Sequence, residues 1–256
     1  MIRYEIDSAT RYLSVCDGIG AVHLSWQQLG WECVGVSEIE PFPAAVVDHH
    51  WGFPNLGDMT KYPEWPEKLL ADVDMLVAGT PCQAFSFAGL RRSLDDERGI
   101  LSLVFLNLFI HINGVRKRHG KPPAIAVWEN VYGTLNTPDD AFGCLLGGLL
   151  GCPEAPRTRS GKWDKAGFFS SETIRVGYRV LDAKYFGVPQ QRRRIFLVAV
   201  PCELIEHFGE RACPSKILSL RESVLRRAPK CERAYEESAG SPGDGLARRG
   251  GRGAAE

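Results

Sequence analysis

The strongest constraint on this chain is a succession of short, unbroken apolar runs: YLSV (12–15), CVGV (33–36), DMLVAG (74–79), AIAVW (124–128), YRVLDA (178–183) and IFLVAV (195–200). Runs of this length without polar alternation suit strands covered on both faces. Between the early ones lie helix-like stretches, AVHLSWQQLG (21–30), PFPAAVVDHH (41–50) and GILSLVFLNLFIHINGVRKRHG (99–120). Strands alternating with helices need crossover connections, which impose a parallel sheet with helices on both sides. The expected fold is α/β, a doubly wound, mostly parallel sheet. With 44% hydrophobic residues among 256, the chain has the material for one full core.

The pattern loosens from Leu135 to Thr173 into glycine, proline and charge, so a loop-rich insertion (135–173) is expected within a principal domain of residues 1–204. A different region begins after IFLVAVP, spanning 205–236. Residues 237–256, rich in Gly, Arg and Ser with little to bury, read as a disordered tail. Lys+Arg and Asp+Glu both total 31, and this balance neither indicates nor excludes a nucleic-acid partner. The N-terminal residues lack a basic segment followed by an apolar one, and no apolar run reaches membrane-spanning length. The expected location is cytoplasmic, with no membrane partner. The eight cysteines form no C-x-x-C pair, so no metal site is expected, and in a reducing compartment most should be free thiols.

After the first run comes CDGIGAVHLSW, a glycine turn with Gly18 and Gly20 that opens a helix near Ala21. Such a turn lets backbone approach a ligand closely. The second run ends in SEIE, which places Glu38 where an acid can hold ribose hydroxyls. The third glycine of the dinucleotide fingerprint is absent, which disfavours a pyrophosphate and favours a nucleoside without phosphates. Asp58, in NLGDMT, offers an acceptor for an adenine amino group. In sequence order the three features reinforce one another.

Cys82, in GTPCQAFS, follows the third run at the expected carboxyl edge of the sheet, where open parallel sheets place their ligands. Alone it could be a packed hydrophobe, a metal ligand, half a disulfide or a nucleophile, with packing the default. WENV (128–131) changes the balance: Glu129 and Asn130 end the next strand at the same edge. A thiol and a carboxyl on adjacent strand ends suit covalent catalysis with proton transfer.

DGIGA, SEIE, GDMT, GTPCQAFS, RGIL, WENV and GVPQQRRRIFLVA, in this order over roughly residues 11–200, resemble the ordered motifs of the cytosine-5 DNA methyltransferases of bacteria and phages. The resemblance implies a Rossmann-like fold, S-adenosylmethionine as cofactor and double-stranded DNA as partner. It implies transfer of a methyl group to C5 of a flipped-out cytosine through a covalent bond from Cys82 to C6. By the same resemblance Glu129 contacts N3 and the exocyclic amino group, and Asn130 holds that loop. Arg194 reaches the target base and the thiol, with Arg192 supporting it; alternate residues of a strand would put both on one face. The implied cofactor residues are Cys16, Asp17, Gly18, Ile19, Gly20, Glu38, Ile39, Asp58, Pro81 and Leu101. Many relatives carry aromatic residues where Cys16 and Ile39 stand, so adenine is expected between smaller apolar groups. Gln83, Ser86 and Gln190 are implied at the substrate, and Arg91 and Arg92, in a polar loop after the nucleophile, are expected on phosphates.

Complete members of that family continue with a target-recognition region and two further motifs. Residues 205–236 are expected to begin that region, and the chain reads as a truncated catalytic domain that a second polypeptide completes. An RNA cytosine methyltransferase and a non-catalytic cofactor- or DNA-binding module are the alternatives.

Overall fold

The computed structural model describes residues 9–81, 101–138, 140–152, 156 and 162–219. Two compact units are distinguished, one formed by Met1–Leu181 with Arg193–Ser219 and the other by Asp182–Arg192 with Leu220–Glu256.

The first unit holds a seven-stranded sheet. Its strands are β1 (Arg11–Val15), β2 (Glu32–Ser37), β3 (Met75–Ala78), β4 (Ile125–Val131), β5 (Ala166–Ser170), β6 (Ile174–Asp182) and β7 (Arg193–Pro201). The spatial order is β2-β1-β3-β4-β7-β6-β5. β1 pairs parallel with β2 and β3, and β3 with β4, whereas β7 runs antiparallel to β4 and β5 antiparallel to β6. The mostly parallel α/β sheet expected from the apolar runs is present, with the six runs on β1, β2, β3, β4, β6 and β7.

The helices are α1 (Ala21–Trp26), α2 (Pro41–Trp51), α3 (Glu67–Ala71), α4 (Leu101–Arg118), α5 (Ala141–Leu150), α6 (Cys202–Phe208) and α7 (Pro214–Ile217). Successive strand residues feed opposite faces. Leu13, Leu76, Ala126, Trp128 and Leu197 join Phe105, Leu108 and Ile112 of α4 and Phe142 and Leu145 of α5 in the main core. Tyr12, Met75 and Val77 point the other way, onto Val22 and Trp26 of α1. Val198 and Val200 pack with Leu204 and Ile205 of α6. Covering both faces explains why the strand sequences are continuously apolar, and each fully buried large side chain contributes roughly 1.5–3 kcal/mol.

The stretch 135–173, read as loop-rich, contains α5 and β5. Asp140 caps α5 by accepting from the N–H of Gly143 and also accepts from the Trp163 indole at 2.7 Å. A Cβ on Gly148 would overlap the Leu106 side chain, so glycine there permits close packing of α5 on α4. No helix among the described residues is long and apolar enough to cross a membrane.

In the second unit the described residues are 182–192. Ala183 N–H donates to the Arg192 carbonyl at 3.1 Å, and Arg192 N–H to Asp182 Oδ1 at 3.0 Å, closing the loop on itself.

Candidate active site

The polypeptide leaves β1 in a tight turn. Cys16 takes a left-handed φ of 51°, followed by Gly18 at 59° and Gly20 at 80°. The two glycines differ in what surrounds them. A Cβ on Gly20 would meet the Trp51 ring at 2.6 Å, whereas a Cβ on Gly18 would have nothing within 4 Å. Gly20 is thus required by packing, and Gly18 faces open space.

Glu38, just past β2, receives Gly18 N–H on Oε2 at 2.8 Å and Glu40 N–H on Oε1 at 2.8 Å. Asp58 caps the 3-10 turn Met59–Glu64 by accepting from Thr60 N–H at 2.9 Å. Both acids act electrostatically on the Cys16 thiol, whose pKa burial first, then Glu38 and Asp58, push up to about 12. Cys16 Sγ lies 3.7 Å from Met59 Sδ. The first and second strand ends and the turn holding Asp58 therefore converge on one thiol that stays protonated at neutral pH. Ile19 and Ile39 are both exposed.

Asp17 departs from expectation. Its side chain is fully buried and faces inward, accepting from Ser14 Oγ and pairing with His23 Nε2 at 2.9 Å. His23 Nδ1 lies 2.8 Å from the Tyr12 hydroxyl. A buried carboxylate needs donors, and Ser14 and His23 supply them. The Asp17 carboxylate thus ties the turn to α1 and β1, leaving only its backbone for a ligand. His23 had no signal in the sequence beyond its place in an apolar helix.

Next along the carboxyl edge is the end of β3. Thr80 is buried; its Oγ1 accepts from the Trp128 indole N–H at 2.8 Å and lies 3.1 Å from Ser102 Oγ. Asn130 Nδ2 donates to the Thr80 carbonyl at 2.9 Å, and Asn130 Oδ1 accepts from Val131 N–H at 2.8 Å. Residues from β4 and the start of α4 thus hold the segment Gly79–Thr80–Pro81. Leu101 itself packs against the main core. Cys82, Gln83, Ser86, Arg91 and Arg92 lie outside the described residues, and Pro81 is the last described residue before them.

A Cβ on Gly79 would lie 3.6 Å from the Cys16 carbonyl and 3.6 Å from Glu129 Oε2. The Glu129 carboxylate therefore sits beside Gly79, in the segment that leads into Cys82, and the turn after β1 approaches the same glycine through the Cys16 carbonyl. Its Oε1 receives Arg194 Nε at 3.0 Å, both side chains being partly exposed. Antiparallel pairing of Val131 with Arg194 brings them together. Arg192 differs from expectation: β7 begins at Arg193, so Arg192 precedes the strand and its backbone closes the 182–192 loop. Gln190 belongs to the same loop, its N–H donating to the Val188 carbonyl at 2.8 Å.

A glycine turn, two acids around one half-buried thiol and an ion-paired carboxylate, all at the carboxyl edge, define an open α/β sheet of the ligand-binding kind. The chain belongs to the C-5 cytosine-specific DNA methylase family, whose model matches residues 10–232. Over 214 residues it is 45% identical to the DNA N-6-adenine-methyltransferase of Escherichia phage P1, covering 73% of this chain and 28% of that protein. It is 32% identical over 205 residues to the orphan methyltransferase M.Rho11sI of Bacillus phage rho11s, covering 78% and 35%. With the type II methyltransferase M.HhaI of Haemophilus parahaemolyticus it shares 28% identity over 199 residues, covering 77% and 51%. The chain thus spans about half or less of the length of these relatives. Among solved structures, S. pombe Dnmt2 methyltransferase superposes with a TM-score of 0.50 at 18% identity, over 75% of this chain and 49% of that one, a likeness of fold.

Proposed function

We propose that this chain is the catalytic domain of a DNA (cytosine-5)-methyltransferase using S-adenosylmethionine. The observation that supports the reading is the convergence of the Glu129 carboxylate and the β1 turn on Gly79, in the segment entering Cys82. The residues at the turn suit the cofactor: open space over Gly18, and carboxylates at Glu38 and Asp58 for ribose hydroxyls and an adenine amino group. Cys16, Ile19, Gly20, Ile39, Pro81 and Leu101 complete the proposed lining, with Asp17 contributing backbone. Bound there, the cofactor supplies an electrophilic methyl group on its sulfonium.

The chain's own residues do the rest. Cytosine C5 is a weak nucleophile, and addition of the Cys82 thiolate to C6 moves the ring's electron pair toward C5. Glu129 accepts from the exocyclic amino group and presents its carboxyl at N3 as charge develops there. Arg194 fixes the Glu129 carboxylate and Asn130 the strand end. Once C5 carries the methyl group, water takes the C5 proton, the pair of that C–H bond re-forms the C5–C6 double bond, and the C6–S bond breaks to return the Cys82 thiolate. Arg192, Gln83, Ser86, Gln190, Arg91 and Arg92 are proposed around the base and the DNA backbone.

The name of the phage P1 relative raises a second reading, transfer to the N6 amino group of adenine. That activity belongs to a protein of which this chain matches 28%, and an exocyclic amine needs no thiol addition to the ring. Cys82 would then have no chemical role. The deciding experiment is incubation with S-adenosylmethionine and duplex DNA containing 5-fluorocytosine, which blocks elimination and traps the adduct. A stable bond at Cys82, absent in Cys82→Ala, is expected. Methyl groups found only on adenine or only in RNA would overturn the proposal. If transfer appears only after a target-recognition polypeptide is added, the chain is a catalytic half.

A further inference from the structure

Neither the proposed chemistry nor the family likeness gives a role to Asn55, an exposed residue in the connection between α2 and the Met59–Glu64 turn. Its side chain makes three hydrogen bonds to backbone. Oδ1 accepts from Glu38 N–H at 3.2 Å and from Gly57 N–H at 2.9 Å, while Nδ2 donates to the Glu38 carbonyl at 3.0 Å. Only this amide orientation works, because the reverse would set NH2 hydrogens against two N–H donors. The backbone around it is held as well: Val36 N–H donates to the Pro54 carbonyl at 2.9 Å and Leu56 N–H to the Val36 carbonyl at 2.7 Å.

One side chain thus grips both backbone polar groups of Glu38 and the residue immediately before Asp58. Glu38 stands past the end of an edge strand and Asp58 follows a glycine with φ 70°. Neither acid lies within a strand; Ser37 Oγ at the end of β2 donates to the Gly57 carbonyl, and Asn55 adds the direct tie between Glu38 and Gly57. Asn55 makes that tie with the full capacity of its acceptor and one donor.

We propose that Asn55 is a positioning residue for the nucleoside end of the cofactor, setting the spacing of Glu38 and Asp58 to the length of an adenosine. This rests on the reading that S-adenosylmethionine is the ligand. The influence of both acids on Cys16 agrees with their facing one space. Asn55 sets the two acids relative to one another, so its effect must shrink when Glu38 has no carboxylate.

The test is a double-mutant cycle on the whole chain, with S-adenosylmethionine binding measured by calorimetry. Asn55→Ala is expected to weaken binding about tenfold, the loss from releasing bonds of this kind. Glu38→Ala weakens it further, and adding Asn55→Ala to Glu38→Ala costs clearly less than the roughly tenfold it costs in the wild-type chain. Where transfer is measurable, the KM for S-adenosylmethionine rises in Asn55→Ala while kcat stays within about twofold. Asn55→Asp, which keeps the acceptor and loses the donor, falls between wild type and Asn55→Ala and serves if Asn55→Ala does not fold. Wild-type affinity in Asn55→Ala, or losses that multiply in the double variant, would overturn the inference alone. A wild-type chain that binds no S-adenosylmethionine would remove the cofactor reading, and this inference with it.

Discussion

Thr80→Val tests how the segment entering Cys82 is held. The threonine hydroxyl serves the Trp128 indole at 2.8 Å, Ser102 Oγ at 3.1 Å and Asn130 Nδ2 at 3.4 Å. Thr80, Trp128, Ser102 and Asn130 are all buried, at 4% exposure or less, so water cannot replace what the substitution removes. Leaving the buried indole N–H unsatisfied costs about 1–3 kcal/mol, and the Ser102 hydroxyl loses a neighbour as well. Valine returns a little through its extra methyl, about 0.8 kcal/mol. Asn130 keeps its bond to the Thr80 carbonyl, so the strand end loosens without detaching. With about 1 kcal/mol for the Ser102 bond, the net loss is about 1–3 kcal/mol, or roughly 3–10 °C in a chain of this size. Calorimetric melting of wild type, Thr80→Val and Thr80→Ser measures it, with Thr80→Ser, which keeps the hydroxyl, losing clearly less. A Thr80→Val variant melting within 2 °C of wild type, or a Thr80→Ser variant falling as far, would show that the hydroxyl holds nothing.

Gly20→Ala sets a methyl against the Trp51 ring in a backbone at φ 80° and should lower the melting temperature by about 5 °C, whereas Gly18→Ala should spare more stability but impair S-adenosylmethionine binding. Melting and titration of both variants check this, and equal effects on both readouts would contradict it. Burial is the first cause of the raised pKa of both Cys16 and Cys33, each pushed up to about 12 from an ordinary 9.0. The folded chain therefore holds protons that the unfolded chain releases, and stability is intact below pH 9 and falls as pH rises toward 12. Melts at pH 8 and 10 read the slope, which Cys33→Ala should reduce. For Arg194→Ala we expect methyl transfer to fall about a hundredfold with S-adenosylmethionine affinity unchanged, measured by labelled transfer and by titration. Cys82→Ala should abolish transfer but spare cofactor binding, and Glu38→Ala should weaken binding first; equal loss of binding in both would contradict that division.

The parallel half of the sheet was legible because residues such as Leu13, Leu76 and Ala126 on one face and Tyr12, Met75 and Val77 on the other are all apolar. Helix α5 was not. AFGCLLGGLL carries three glycines that lower helix propensity, and its stability comes from burial and the Asp140 cap, neither visible locally. β5 lies on the sheet's edge and has no buried residue, so it lacks the apolar run that marks the inner strands. At the site, Glu129 and Arg194 could be named from motifs, but their contact depends on antiparallel register, which no motif encodes. Family resemblance places Asp17 at the cofactor but does not say where its side chain points. His23, six residues on, turns its carboxylate inward. Asn55 escaped notice because an exposed asparagine in a connection looks like any turn residue.

The reversal of β7 has an evolutionary corollary. Arg194 meets Glu129 through ladder pairing within the sheet, and the loop of 182–192 closes on its own backbone before β7 begins. Residues can be gained or lost in that loop without sliding the guanidinium away from its acid. Such changes would spare the ion pair but not Gln190 and Arg192, so the proposed chemistry limits the loop's sequence where the fold does not limit its length.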